Sequence, residues 1–124
     1  MANRITSWCI DCEDPEGLAA FWTAVLDWVV TDRDDELVTI KPSADAVWGI
    51  DFVIVPDGPK QGKNRIHLDL NATDREQDAE LERLLALGAR PVDVGQGEVT
   101  WHVLADPEGN EFCLLRSRVE PERG

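Results

Sequence analysis

Apolar and polar residues follow one another along the chain in patterns that predict strands and helices in a definite order. Residues 5–11 alternate as a half-buried strand does, with Trp8 and Ile10 on one face. Asp14 and Pro15 predict the start of a helix that runs to about Asp27, because an acidic cap followed by proline is typical of helix N-termini. Three further strands are predicted at residues 28–31, 37–41 and 48–55.

The same order of elements returns after a polar, Pro- and Gly-containing linker at residues 57–63. A strand at 65–70 precedes a helix that Thr73 or Asp74 is expected to cap and that ends at about Leu87, before Gly88. Strands at 91–94, 99–105 and 111–116 follow, and the tail at 118–124 is expected to fray. The pattern predicts an α+β protein of two βαβββ modules, at about 4–56 and 64–117.

Three stretches of this sequence resemble the vicinal oxygen chelate superfamily, which includes glyoxalases, bleomycin resistance proteins and extradiol dioxygenases. They are DPEGLAAFW after the first strand, KNRIHLDL at the second module's start, and DPEGNEF near its end. The resemblance covers about residues 4–117 and is greatest to glyoxalase-like domain proteins. It implies a single domain over residues 1–124, in which both modules form an incomplete eight-stranded barrel around one cup. It also implies a homodimer.

The resemblance further implies where a divalent metal would be held, since metal-dependent relatives supply one His, Glu or Gln from each of four strands. These positions correspond here to Ser7, a residue near Val53, His67 and Cys113. Only His67 is an ordinary ligand, so we expect no tight metal site and no cofactor. The alternative is a zinc ion held by His67 and Cys113 with Asp51 or Asp69.

The expected cup contains residues with several kinds of chemistry. His67, next to Asp69 on one strand face, is either a general base or hydrogen-bond donor, or a structural histidine. Trp101 either stacks on a planar or cationic ligand or packs in the core. The predicted ligand-binding residues are Ser7, Cys9, Asp51, Val53, His67, Asp69, Trp101 and Cys113.

The formal net charge of −13, from 25 acidic and 12 basic residues, argues against nucleic acid and anionic membranes as partners. It favours a cationic ligand. The N-terminus has no signal-peptide pattern, and the three cysteines do not suggest a disulfide framework, so a cytoplasmic protein is expected. Cys9 and Cys12 would point to opposite faces of one strand, which argues against a shared metal.

These observations favour a glyoxalase-like small-molecule-binding protein with a largely degraded metal site, which sequesters a cationic or aromatic ligand. The alternative is an enzyme, either a lyase or isomerase or one resembling a dioxygenase, that uses His67 with or without a divalent metal. A third hypothesis is a structural or regulatory module whose own side chains fill the cup.

Overall fold

The computed structural model describes residues 2–121, and its elements follow the predicted β-α-β-β-β order twice. The α+β class and the two βαβββ modules are therefore confirmed, whereas closure into an eight-stranded barrel and the single-domain assignment stay predictions. The chain divides into two compact units, and the boundary between Pro59 and Lys60 lies inside the predicted linker. We call these units the first and second modules.

The first module is a four-stranded sheet with one helix. Its elements are β1 (Ser7–Cys12), α1 (Pro15–Leu26), β2 (Val29–Arg33), β3 (Leu37–Lys41) and β4 (Gly49–Ile54). The strand order is β1-β4-β3-β2, with β1 parallel to β4 and the other neighbours antiparallel. The helix α1 packs on β3 and β4, and the core holds Leu18, Trp22, Val38, Ile40 and Phe52, all at most 2% exposed.

The predicted start of α1 is confirmed in detail. Asp14 is the N-cap and its carboxylate accepts a hydrogen bond from the backbone N–H of Gly17 at 3.1 Å. Pro15 is the first helical residue, where its missing N–H costs no helical hydrogen bond. The helix ends at Leu26, and Asp27 follows in the left-handed conformation with φ 57°.

The second module repeats this arrangement with shorter strands. Its elements are β5 (Leu68–Leu70), α2 (Gln77–Leu87), β6 (Arg90–Pro91), β7 (His102–Ala105) and β8 (Glu111–Leu114). The strand order is β5-β8-β7-β6, with β5 parallel to β8. Leu84, Leu104, Phe112 and Leu114 are at most 1% exposed and lie in its core. No helix within residues 2–121 is long and apolar enough to span a membrane.

The predicted cap of the second helix was wrong. The N-cap is Glu76, in an extended conformation and without a side-chain hydrogen bond to the helix. Neither Thr73 nor Asp74 opens the helix, because the Asp74 carboxylate instead accepts two hydrogen bonds from Arg75, at 2.8 and 3.0 Å. The Gly88 C-cap is confirmed, with φ 116°.

Several strands of the second module begin later or end earlier than predicted. The strand expected at 91–94 is only Arg90–Pro91. Side chains explain this, because the backbone N–H groups of Val94 and Gly95 donate to Gln96 and Asp93, each at 2.8 Å, instead of to another strand. The strands predicted from residues 65 and 99 begin at Leu68 and His102.

The tail that is predicted to fray, residues 118–124, contains Val119, whose backbone N–H donates to the Ala72 carbonyl at 3.0 Å. This hydrogen bond ties the segment after β8 to the chain just after β5. Residues 122–124 lie outside the described residues.

Candidate functional site

Three of the predicted ligand-binding residues lie together in the first module, on the parallel strands β1 and β4. Cys9 is the register partner of Asp51. The Cys9 Sγ lies 3.8 Å from Asp51 Oδ2 and 3.9 Å from Ser7 Oγ. Ser7 and Cys9 share one face of β1 because alternate residues of a strand point the same way.

The Asp51 carboxylate is held from a second side by a residue that the sequence did not single out. Thr39, on β3 and 8% exposed, donates its hydroxyl to Asp51 Oδ1 at 2.5 Å. Both oxygens of Asp51 therefore have a partner within the module. Val53, two residues further along β4, shares the Asp51 face but has no donor or acceptor in its side chain.

The second module contains a cavity of about 360 Å³. Its volume lies within the range of small-molecule sites, roughly 300–1,000 Å³. Four predicted residues lie in its wall: His67, Asp69, Trp101 and Cys113. The other wall residues are Lys63, Val94, Gln96, Val103, Glu111 and Leu115.

His67, Asp69 and Cys113 form a cluster of three different donor groups in this wall. Asp69 on β5 is the register partner of Cys113 on the parallel strand β8. The His67 Nε2 lies 3.3 Å from Asp69 Oδ1, and one potential ligand atom from each residue lies within 4.8 Å of the others. The sequence leaves open whether Asp51 or Asp69 accompanies His67 and Cys113, and in the structure Asp69 lies beside them.

The charges around this cluster favour a neutral thiol. Burial raises the pKa of the Cys113 thiol, and the negative charge of Asp69 raises it further, with Lys63 acting in the opposite direction. At neutral pH Cys113 is therefore protonated. A cation placed beside Asp69 and Cys113 would relieve the repulsion between the carboxylate and a thiolate.

Glu111, at one side of the cavity, is a fixed carboxylate. Burial raises the pKa of Glu111, but hydrogen bonds from the Asn64 backbone N–H at 2.8 Å and the Lys60 Nζ at 3.0 Å outweigh it. The net pKa is lowered, so Glu111 carries a negative charge at neutral pH. It is held there by two donors and is less free than Asp69 to turn toward a ligand.

Trp101 precedes β7 and is 39% exposed in the cavity wall. The core-packing alternative for Trp101 is therefore wrong, because a core tryptophan such as Trp22 is only 2% exposed. His102 is the register partner of Leu114 and is half-buried, outside the wall residues of this cavity.

Some of the residues missed by the sequence analysis carried a usable signal. Glu111 and Leu115 lie two residues on either side of Cys113, so strand alternation places them on the same face. Val103 is the antiparallel register partner of Cys113. By contrast, Lys63, Val94 and Gln96 lie in irregular segments, which have no periodicity from which their direction could be predicted.

The residues present do not fit the four-ligand metal site that the resemblance implies. Divalent metals such as Mn²⁺ prefer carboxylate, imidazole and water ligands. Ser7 supplies an alcohol, and Cys113 supplies a thiol with a raised pKa. At the position near Val53, the strand register makes Asp51 the counterpart of Cys113, and both oxygens of Asp51 already contact Thr39 and Cys9. Of the four positions, His67 offers an ordinary ligand, and Asp51 offers a carboxylate that is already hydrogen-bonded within its module.

The family model described as "Glyoxalase-like domain" matches residues 7–115. No sequence among curated proteins matches the chain.

The chain is similar in structure to several solved proteins. A glyoxalase/bleomycin resistance protein/dioxygenase family enzyme from Burkholderia phytofirmans has a TM-score of 0.67 at 18% identity, over 88% of this chain and 94% of that one. A fosfomycin resistance protein from Listeria monocytogenes, complexed with Mn(II) and 1S,2S-dihydroxypropylphosphonic acid, has a TM-score of 0.69 at 17% identity, over 96% and 93%. A glyoxalase/bleomycin resistance protein from Albidiferax ferrireducens has a TM-score of 0.60 at 18% identity, over 91% and 98%.

Proposed function

The chain belongs to the glyoxalase-like domain family, and from this premise we propose that it binds and sequesters a small organic ligand in the cavity of its second module. The ligand contains a planar or aromatic group and carries a positive charge. Binding does not require the four-ligand metal site of metal-dependent relatives, because Ser7 and Cys113 occupy two of the four positions and the carboxylate at the third, Asp51, is held by Thr39 and Cys9.

The observation that carries this proposal is an exposed indole and an exposed carboxylate in one cavity. Trp101 is 39% exposed, and the Asp69 side chain is 52% exposed. Both line the same wall. An aromatic face attracts a cation by about 0.5–2 kcal/mol, and a carboxylate adds a charge-assisted contact.

The remaining wall supports an organic ligand in preference to a simple ion. Val94, Val103 and Leu115 give the cavity apolar surface, and Gln96 adds a hydrogen-bonding amide. The cavity of about 360 Å³ suits a molecule of drug-like size. The net charge of −13 would raise the local concentration of a cationic ligand, most strongly at low salt.

The family context is compatible with sequestration. Structurally similar proteins include some named for resistance to bleomycin and to fosfomycin. At identities of 17–18% they support the fold, so the ligand must be identified from the cavity of this chain.

A ligand screen in EDTA tests the proposal. Matched sets of cationic aromatic, neutral aromatic and anionic aromatic compounds would be compared by thermal shift and then by calorimetry. We expect cationic aromatic compounds to raise the melting temperature and to bind one per chain. Equal binding of anionic compounds, or no stabilisation by any set, would contradict it.

Two variants assign the binding to the cavity. Trp101→Leu should weaken the best ligand about tenfold by removing the aromatic face, and Asp69→Asn should weaken it by a similar factor and reduce its salt dependence. The control is Trp8→Leu in the first module, since Trp8 is also 39% exposed. Equal losses in Trp101→Leu and Trp8→Leu would argue against this cavity.

A second candidate function is favoured by the His67–Asp69 contact of 3.3 Å, which is the arrangement of an imidazole oriented by a carboxylate. In this alternative the protein is a lyase, isomerase or dioxygenase-like enzyme in which His67 transfers a proton, with or without a metal. Turnover of a ligand found in the screen, with a pH dependence lost in His67→Ala, would support it. Binding without turnover would support sequestration alone.

The resemblance also leads us to propose a homodimer. Sedimentation equilibrium across a range of protein concentrations tests this assembly. A mass that stays at that of one 13.8 kDa chain would contradict it.

A further inference from the structure

We propose that the ligand of the second module's cavity is zwitterionic, an aromatic compound that places an ammonium group beside Asp69 and a carboxylate beside Lys63. This inference rests on the proposed function, because it names the class of molecule that the same cavity binds. It makes Lys63 a residue that determines specificity, whereas Trp101 and Asp69 alone would accept any aromatic cation.

The first support is the balance of charge in the cavity wall. Besides His67, which is charged only when it is protonated, the wall contains the charged side chains of Lys63, Asp69 and Glu111. The Glu111 charge is compensated by Lys60, whose Nζ lies 3.0 Å from Glu111 Oε2 while both side chains are at most 20% exposed. One negative charge and one positive charge therefore remain for a ligand.

The second support is that neither of these two charges has a permanently charged partner in the protein. Lys63 donates to the backbone carbonyl of Asn64 at 3.2 Å and, within residues 2–121, makes no ion pair with a carboxylate. Asp69 contacts His67 and Cys113, but no lysine or arginine of the described chain pairs with it. Both charges are therefore available to groups of opposite charge on a ligand.

The third support is that the segment carrying Lys63 is held against the cavity. Its neighbours on either side bind one carboxylate, because the Lys60 Nζ and the Asn64 backbone N–H both donate to Glu111, at 3.0 and 2.8 Å. Burial and a nearby carboxylate raise the pKa of the Cys113 thiol, and the Lys63 charge acts on the same thiol in the opposite direction. The positive charge of Lys63 is therefore felt inside the cavity wall.

This arrangement discriminates among aromatic ligands by charge. A simple aromatic cation could contact Asp69 but would be repelled by Lys63, and an aromatic anion would meet the reverse problem. A zwitterion matches both side chains, while Trp101, Val103 and Leu115 supply surface for its ring. The cavity is thus complementary to an amphoteric aromatic molecule, of which an aromatic amino acid is the simplest example.

Calorimetric titration of the full-length protein in EDTA with two matched sets of compounds tests this specificity. The first set is L-phenylalanine, 2-phenylethylamine and 3-phenylpropionate, and the second is 4-(aminomethyl)benzoate, benzylamine and benzoate. The two zwitterions differ in the separation of their charges, which are close together in the first and at opposite ends of the ring in the second. Salt at about 0.15 M limits the general attraction of the acidic protein for amines.

We expect the zwitterion of at least one set to bind one per chain and at least about tenfold more tightly than its amine, because a charge-assisted contact to Lys63 is added. Zwitterions that bind no more tightly than their amines in both sets would overturn the inference.

Substitutions of Lys63 assign the preference to its charge. Lys63→Gln should reduce the affinity for the zwitterion about tenfold, to that for the amine, without weakening the amine, and Lys63→Arg should retain most of the preference. The control is Arg65→Gln, because Arg65 is an exposed cation two residues away and outside the cavity wall. A preference that survives Lys63→Gln, or that is lost equally in Arg65→Gln, would overturn the role of Lys63.

The ratio of two affinities measured on the same variant separates a change of specificity from a loss of fold, since unfolding would weaken both ligands. The inference and the proposed function also fail in different ways. Amines that bind as tightly as zwitterions would overturn the inference and leave the aromatic-cation site in place. An absence of binding by every amine and zwitterion would overturn both.

Discussion

The two modules place a thiol and a carboxylate on the same register positions, in reversed order. In the first module Cys9 on the first strand is paired with Asp51 on the last, and in the second module Asp69 on the first strand is paired with Cys113 on the last. The third strand also differs. Thr39 is the register partner of Asp51, whereas a valine, Val103, is the partner of Cys113.

This difference determines whether the carboxylate is available to a ligand. Asp51 accepts hydrogen bonds from Thr39 and Cys9, so its charge is used inside the module. Asp69 contacts the Cys113 thiol and the His67 imidazole but has no hydroxyl partner in its cluster, and its side chain is 52% exposed in a cavity wall. One backbone pattern therefore supports an internally satisfied carboxylate in one module and an accessible one in the other.

We expect the largest loss of stability from a substitution at Gly49, where the two modules differ in the space available to a side chain. Extending the register by one residue pairs His67 with Glu111, so Glu111 corresponds to Gly49, the partner of Ser7. A Cβ at Gly49 would overlap the Ile40 carbonyl oxygen and lie 2.6 Å from Lys41 Cγ. We expect Gly49→Ala to lower the free energy of unfolding by about 3 kcal/mol, measured by urea denaturation.

The control for this substitution is Ser7→Ala, which adds no atoms and should change the unfolding free energy by less than about 0.5 kcal/mol. A Gly49→Ala protein as stable as the wild type would show that the first module does not require glycine at this position.

The next effect tests the satisfied carboxylate of the first module. Thr39→Val keeps the side-chain shape but removes the hydroxyl that donates to Asp51 at 2.5 Å. We expect a loss of about 2 kcal/mol in unfolding free energy, since hydrogen bonds to charged groups contribute roughly 1.5–3 kcal/mol. Thr31→Val is the control, because Thr31 donates to an exposed Asp32 at 3.2 Å. Equal losses in both variants would contradict the special role of Thr39.

The thiols of the two modules should differ in reactivity. Cys9 is exposed, whereas Cys113 is buried and its pKa is raised by burial and by Asp69. Since a raised pKa reduces the thiolate fraction at a given pH, Cys113 should need higher pH to react. We expect iodoacetamide to modify native Cys9 about tenfold faster at pH 8, measured by peptide mass spectrometry. Equal modification rates for Cys9 and Cys113 in the native protein would contradict these assigned environments.

We expect the smallest effect at Glu111, the second-module counterpart of Gly49. Its carboxylate accepts hydrogen bonds from Lys60 and the Asn64 backbone. The lowered pKa of Glu111 means that its charged form stabilises the fold above the unfolded-state pKa of about 4.5, and that this contribution is lost as pH falls. Glu111→Gln should cost about 1 kcal/mol at pH 7 and progressively less in acid. The control is Glu16→Gln, since the Glu16–Arg33 pair is 59% exposed on both sides and contributes little. A cost for Glu111→Gln that does not change with pH would contradict this account.

The parts of the fold that the sequence predicted well depend on local signals. Asp14 and Pro15 define the start of α1 because cap and first turn are adjacent in the chain. The start of α2 was mispredicted because Arg75 binds the Asp74 carboxylate, a choice between neighbours that spacing does not reveal. The strand at 91–94 was overestimated because side-chain hydrogen bonds replaced strand pairing there.

Only the site residues that lie on or beside strands could be predicted, because strand alternation determines the face on which a side chain lies. Alternation placed His67 and Asp69 on one face, and the structure brings Cys113 to them. The register further shows that Asp51, rather than Val53, is the first-module counterpart of Cys113. That correspondence depends on pairing between strands that are far apart in the sequence. Val94 and Gln96 also line the cavity, but they lie in turns, which have no periodic pattern from which their direction could be predicted.

The indole N–H signals of the five tryptophans in a ¹H–¹⁵N spectrum report whether the second module holds the ligand site. Trp101 belongs to the second module, and the other four belong to the first. On titration in EDTA with a stabilising cationic aromatic compound, we expect the Trp101 signal, assigned by Trp101→Phe, to shift most. An unchanged Trp101 signal, or changes confined to the other four, would contradict it.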